Sequence, residues 1–146
     1  MFTRLLVAFD GSDLSRRALD VGIELAQRLG AGLYSICAED AVVVPATVPG
    51  YGPTESDDAE GGEAESGLVS LSEEARQLAL AKGVAITATI ISGEDDADAI
   101  LDAISATQCD LLIIGLPNRS SPLEGIFPHT STILEHMAPC SVLGIR

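Results

Sequence analysis

Aromatic side chains are scarce in this sequence, which holds three Phe, two Tyr and no Trp among 146 residues. Apolar residues nevertheless make up 47% of the chain, so it is not disordered as a whole. The core must therefore be aliphatic, a composition typical of parallel strands that are covered on both faces. The length predicts a single domain spanning residues 1–146.

Long apolar runs are also missing. No run approaches the roughly 18 residues that a membrane-spanning helix requires. The opening MFTRLLVAFDG is too short and too soon polar for a signal peptide, and it favours a strand instead. We therefore expect a cytoplasmic protein without a membrane partner.

Positive charge is rare: 22 acidic residues stand against 8 basic ones, the formal net charge is −14, and Lys82 is the only lysine. This balance argues against nucleic acid or an anionic membrane as the partner. The G-x-x-x-x-G-K-[ST] motif of a Walker-type phosphate site and the G-x-S-x-G nucleophile elbow are both absent. We therefore expect no enzyme activity beyond weak ATP hydrolysis at most.

The three cysteines, Cys37, Cys109 and Cys140, form no C-x-x-C pair and lie in apolar stretches. This pattern predicts structural, reduced, half-buried thiols. His129 and His136 are seven residues apart and would return to one helix face. Without a clear third ligand they predict exposed helical histidines and no metal site.

Strand and helix patterns alternate along the chain. Apolar runs predict strands at Arg4–Phe9, Leu33–Ala38, Val84–Ile91, Leu111–Ile114 and Val142–Ile145. Helical periodicity predicts helices that begin after Ser12 or Asp13, near Leu68, after Asp95 or Asp96, and near Ser131. This alternation predicts an α/β fold with one parallel sheet and helices on both faces.

Residues 45–67 break this alternation. Prolines and glycines lead into ESDDAEGGEAES, which holds six acids in twelve residues and no large apolar side chain. The composition predicts a long, mobile, solvated loop, with a partner-docking segment as the alternative.

Two residues fall where ligands of such folds bind, at the carboxyl ends of strands near a reversal of strand order. Asp10 follows the first predicted strand and Gly115 follows the fourth. Asp10 is equally consistent with a ribose or magnesium ligand and with a residue that caps the first helix or closes the turn. The segment after Gly115 carries Pro117, Pro122 and Pro128, where a phosphate site needs free backbone N–H groups.

Four segments together resemble the universal stress protein family: LLVAFDGSDLSRRAL, ISGEDDADAIL, CDLLIIG and MAPCSVLGIR. Their order and spacing extend the resemblance over nearly the whole chain. It implies an open five-stranded parallel sheet of order 3-2-1-4-5, flavodoxin-like or Rossmann-like in outline. It also implies a homodimer, often formed through the last strand, and a cytoplasmic stress or regulatory role.

One branch of that family binds ATP or AMP, and another does not. The binding branch carries Gly-x-x-Gly, nine residues, and then Gly-Ser or Gly-Thr. In this sequence the first glycine position is Gly115, the second is Asn118 and the third is Pro128, which His129 follows. Asp10 stands where the binding branch has an acid that contacts the ribose.

These departures weaken a phosphate site. Asn118 tolerates the left-handed conformation that glycine adopts. Pro128 suits a helix start but removes an N–H donor, and each lost donor costs about 1–3 kcal/mol. His129 is bulkier than Ser and could obstruct the pocket or, if protonated, partly compensate. Arg119 could also reach an anion. The candidate ligand-binding residues are Ala8, Phe9, Asp10, Ala38, Gly115, Asn118, Arg119, Pro128, His129, Thr130 and Ser131. We expect that the nucleotide site is altered and that the protein acts by binding another protein or an atypical small ligand. The alternative is that it binds ATP or AMP.

Overall fold

The structure is a computed structural model that describes residues 1–38, 70–92, 97–117 and 128–146. The predicted loop at 45–67 lies outside the described residues, as do the predicted helix caps Asp95 and Asp96.

Strands and helices alternate through the described ranges. In chain order they are β1 (Arg4–Phe9), α1 (Asp13–Leu29), β2 (Gly32–Ala38), α2 (70–81), β3 (Ile86–Ser92), α3 (Ala97–Thr107), β4 (Leu111–Gly115), α4 (Pro128–Met137) and β5 (Ser141–Ile145). Each predicted strand is confirmed to within two residues at either end.

The last helix begins earlier than the sequence pattern predicts. Helical periodicity placed its start near Ser131, whereas α4 begins at Pro128. Proline is favoured at the first position of a helix, because its φ is preset and the N–H that it lacks would have no partner within the helix. Pro128 therefore belongs to the helix itself and not to the segment before it.

The five strands form one parallel sheet in the order β3-β2-β1-β4-β5. This confirms the predicted fold class and strand order. The chain moves from β1 outward to β2 and β3, and then returns to the other side of β1 for β4 and β5. The reversal of strand order therefore lies between β1 and β4, which is where ligands of open α/β sheets bind.

Alternate residues of β1 supply two separate aliphatic cores. Leu5 and Val7 pack with α1 and α2 on one face of the sheet. Leu6 and Ala8 pack with α3 and α4 on the other. This alternation explains why β1 reads as a continuous apolar run, since both of its faces are covered. No helix within the described ranges has the length and apolar character to cross a membrane.

Candidate functional site

The carboxyl ends of three neighbouring strands bring together residues that are far apart in sequence. Phe9 of β1 lies opposite Cys37 of β2, so Asp10 follows beside Ala38. Val7 lies opposite Ile113 of β4, and continuing this register places Gly115 beside Phe9. Asp10, Ala38 and Gly115 therefore meet at one edge of the sheet, on both sides of the reversal in strand order.

Asp10 closes the turn between β1 and α1. Its Oδ1 atom accepts the backbone N–H of Ser12 at 2.8 Å. Ser12 in turn caps α1, because its Oγ accepts the backbone N–H of Ser15 at 3.2 Å. The sequence is equally consistent with a structural role and with a ligand-binding role for Asp10. This geometry establishes the structural role. The second carboxylate oxygen of Asp10 is not needed for this turn.

Ser15 completes the network of the turn. Its buried hydroxyl accepts the backbone N–H of Asp10 at 3.3 Å and donates to the carbonyl of Ser12 at 3.0 Å. Gly11, between Asp10 and Ser12, has φ +80°, a left-handed backbone conformation that residues with a side chain rarely adopt. The Asp-Gly-Ser sequence is thus accounted for by the turn alone, whether or not a ligand binds.

Gly115 is required by close packing. A Cβ atom at this position would lie 2.8 Å from both the carbonyl carbon and the oxygen of Leu14, in the first turn of α1. Those are backbone atoms, which cannot rotate away as a side chain can. The helix N-terminus therefore rests directly on the end of β4, and the presence of Gly115 does not by itself indicate phosphate binding.

The predicted site residues of α4 occupy its first turn. Pro128 and His129 are the first two residues of this helix. Thr130 and Ser131 follow and are buried. Ala8 and Phe9, also predicted as site residues, are buried on opposite faces of the sheet. Asn118 and Arg119 lie outside the described residues.

Positive charge near this edge of the sheet is limited within the described ranges. Arg16, in the first turns of α1, forms a salt bridge in which its Nε lies 2.8 Å from Oε1 of Glu74. That hydrogen bond and the charge of Glu74 raise the pKa of the Arg16 guanidinium. Arg146 is exposed and directly follows β5, the strand beside β4. Arg146 is not among the predicted site residues, although its position after a predicted strand end could have indicated a positive charge at this edge of the sheet.

The sequence also predicts that the histidines are exposed on a helix and that the cysteines are reduced and half-buried. His136 is exposed on α4, and the described ranges contain no cluster of three His, Cys, Asp or Glu side chains suited to a metal ion. All three cysteines are free thiols. Cys37 and Cys109 are more deeply buried than the half-buried state predicted for them, whereas Cys140 is half-buried.

Comparison with known proteins agrees with this architecture. A model of the universal stress protein family matches residues 1–146. Universal stress protein YxiE of Bacillus subtilis (strain 168) is 30% identical over 149 residues, which cover 100% of both chains. A solved structure of a family protein from Burkholderia pseudomallei is 27% identical with a TM-score of 0.63, over 98% of this chain and 95% of that chain.

A second solved structure is the universal stress protein from Archaeoglobus fulgidus in complex with dAMP. It is 19% identical with a TM-score of 0.62, over 99% of this chain and 98% of that chain. At this identity the likeness is one of fold. The whole-chain family match and the curated relative carry the assignment: this chain belongs to the universal stress protein family.

Proposed function

We propose that this protein is a non-enzymatic, homodimeric regulatory protein whose ancestral nucleotide site is altered. It acts by binding a protein partner or an atypical small ligand. The resemblance of the sequence to the family's nucleotide motif, with replacements at three of its four positions, motivates this proposal.

The observation that carries the proposal is the position of Pro128. A phosphate at the start of a helix is held by the first backbone N–H groups, which have no partner within the helix. Pro128 is the first residue of α4 and has no N–H to donate. The substitution is favourable for the fold and unfavourable for a phosphate, so the helix keeps its geometry while the site loses a donor.

The features that the motif retains also have structural explanations. Gly115 accommodates the backbone of Leu14. Asp10 holds the N–H of Ser12. Both residues would be kept in a protein that had lost its nucleotide, and their retention is therefore compatible with the altered site.

A second candidate function is adenine-nucleotide binding, with Asp10 on the ribose and the segment from Gly115 to Ser131 around the phosphates. Two observations favour it. Asp10 and Gly115 flank the reversal in strand order, and an Archaeoglobus fulgidus relative of the same fold is solved with dAMP. This second function predicts that bound nucleotide copurifies with the protein.

Titration calorimetry with ATP, ADP and AMP distinguishes the two. An altered site predicts Kd values near or above about 1 mM, because each lost donor weakens binding roughly tenfold or more. Micromolar ATP binding that Asp10→Ala abolishes would overturn the altered site. Adenine nucleotide found by mass spectrometry in the denatured supernatant of several preparations would count equally against it.

A variant that restores the family motif gives the converse test. Asn118→Gly, Pro128→Gly and His129→Ser together return the second glycine, the third glycine and the hydroxyl. We expect this triple variant to bind ATP at least about tenfold more tightly than the wild type. Pro139→Gly makes the same exchange just beyond the end of α4 and is the matched control, which should leave affinity unchanged. No gain in the triple variant would show that the replaced positions do not explain weak binding.

The homodimer rests on the edge of the sheet. β5 is an edge strand, and its Val142, Leu143 and Ile145 are half-buried apolar residues. Proteins usually cover such an edge, because its unpaired backbone groups invite another strand. If a second copy of the chain paired along β5, the β5 edges of both copies would be covered at once. The result would be a closed, two-fold dimer.

A further inference from the structure

Two cysteines meet at the amino-terminal edge of the sheet, opposite the candidate site. Cys109 lies between α3 and β4, and Cys140 lies between α4 and β5. Leu111 is the register partner of Ser141, so Cys109 and Cys140 lie within two residues of the point where the adjacent parallel strands β4 and β5 begin. Their Sγ atoms are 3.9 Å apart. Nothing in the spacing of 31 residues between them predicts this contact.

The backbone around the pair is compatible with a covalent bond. The two strands are held at this point by the N–H of Ser141, which donates to the carbonyl of Asp110 at 3.3 Å. Paired strands lie about 4.8 Å apart, and the Cα atoms of disulfide-bonded cysteines are typically about 4.4–6.8 Å apart. Closing the Sγ atoms of Cys109 and Cys140 to bonding distance requires a movement of about 1.9 Å, which side-chain rotation can supply.

The two thiols differ in exposure, and this gives them different roles. Cys140 is half-buried and open to a small oxidant, whereas Cys109 is 7% exposed. Burial, together with the neighbouring Cys140, raises the pKa of the Cys109 thiol to about 12. The thiolate is the reactive form, and burial disfavours it at Cys109, so the more exposed Cys140 is the thiol that meets the oxidant first. Cys109 is then the thiol that resolves the oxidised intermediate.

We propose that Cys109 and Cys140 form a reversible intramolecular disulfide when the protein meets a peroxide. The Cys140 sulfur attacks one peroxide oxygen, the O–O bond breaks, and the departing hydroxide takes the proton of the Cys140 thiol to become water. The Cys109 sulfur then attacks the sulfur of the resulting Cys140 sulfenic acid. The S–O bond breaks, and the hydroxide leaves as water with the proton of Cys109. The two thiols lose two electrons, the peroxide is reduced to water, and a thiol reductant reverses the bond.

The bond would join the starts of β4 and β5. It closes a loop that runs from Cys109 to Cys140 and includes β4, Gly115 and the whole of α4. A cross-link over a loop of this length stabilises a protein mainly by restricting its unfolded chain. Oxidation would therefore fix the edge strand to the sheet. This inference does not depend on the proposed function.

Mass spectrometry after peroxide treatment, followed by alkylation of the unfolded protein, tests the proposal. The oxidised wild-type protein should lose two hydrogens in mass and keep one alkylatable thiol of its three, with a Cys109–Cys140 linked peptide after digestion. Its melting temperature should rise by about 5–10 °C and return to the starting value with dithiothreitol.

Three variants act as controls. Cys37→Ser removes a fully buried thiol that is outside the pair and should oxidise as the wild type does. Cys109→Ser and Cys140→Ser should each lose the linked peptide and the rise in melting temperature. Three alkylatable thiols after peroxide treatment of the wild type would overturn the proposal. So would a bond to Cys37, or cross-links formed only between separate chains.

Discussion

The Oδ1 atom of Asp10 accepts the backbone N–H of Ser12 at 2.8 Å and so closes the turn that leads into α1. This contact makes the structural role of Asp10 testable apart from any role in ligand binding, because a structural acceptor and a ligand-binding charge respond differently to substitution. Asparagine keeps an oxygen at Oδ1 but loses the charge, whereas alanine loses both.

We therefore expect Asp10→Ala to lower the free energy of unfolding by about 1 kcal/mol, because the N–H of Ser12 loses its acceptor. Asp10→Asn should stay within about 0.5 kcal/mol of the wild type. Urea unfolding of the three proteins measures both values. Equal stability of the wild type and Asp10→Ala would show that the turn does not depend on this carboxylate.

Gly115 provides a second test in which packing and ligand binding are separable. Gly115→Ala places a Cβ atom 2.8 Å from the carbonyl group of Leu14, so α1 or β4 must move. We expect a loss of about 1–3 kcal/mol in the free energy of unfolding, without any ligand present.

Gly32→Ala is the matched control for Gly115→Ala. There the nearest atom is the ring carbon Cε2 of Tyr34 at 3.3 Å, and a side chain can move away. We expect a change within about 0.5 kcal/mol. If urea unfolding gives the same loss for both variants, the contact with Leu14 does not explain why residue 115 is glycine.

The sequence was sufficient for features that depend on local patterns. The apolar run of β1 predicts a strand covered on both faces. Ser12, one of the two residues predicted to precede the first helix, is the N-cap of α1. Strand order came from the family resemblance, since periodicity alone does not say which strands are neighbours.

Features that depend on register could not be predicted in the same way. The contact between Cys109 and Cys140 exists because β4 and β5 are adjacent and start at the same level. The close approach of Leu14 to Gly115 likewise depends on how α1 crosses the sheet. The start of α4 at Pro128 was missed because proline weakens a helical pattern in sequence while it is favoured at the first helical position.

The proposed dimer predicts that charge on β5 is harmful. Val142→Glu places a carboxylate on the half-buried edge strand, and we expect a monomer or insoluble protein. Ala88→Glu puts the same charge on an exposed position of β3, the opposite edge, and should leave the oligomeric state unchanged. Size-exclusion chromatography with light scattering measures the mass. A soluble dimer of the Val142→Glu protein would contradict pairing through β5.

Asp110 connects the starts of β1 and β4 and predicts a dependence of stability on pH. Its Oδ2 accepts the N–H of Thr3 at 2.8 Å and its hydroxyl at 2.9 Å, and its Oδ1 accepts the N–H of Arg4 at 3.0 Å. Desolvation alone would raise the pKa of the Asp110 carboxyl, but these hydrogen bonds outweigh it and lower the pKa. A carboxyl whose pKa is lowered by folding stabilises the protein above its unfolded value of about 3.9.

This stabilisation should disappear as the pH falls from about 5 through the lowered pKa of Asp110, because protonation removes the charge that accepts the hydrogen bonds. Asp110→Asn should accordingly be less stable than the wild type at pH 7, and the difference should shrink in acid. Urea unfolding at several pH values measures it. Asp102→Asn, at an exposed position of α3, removes the same charge and is the control for net charge. If both variants differ from the wild type in parallel across the pH range, overall charge explains the effect and the contacts with Thr3 and Arg4 do not.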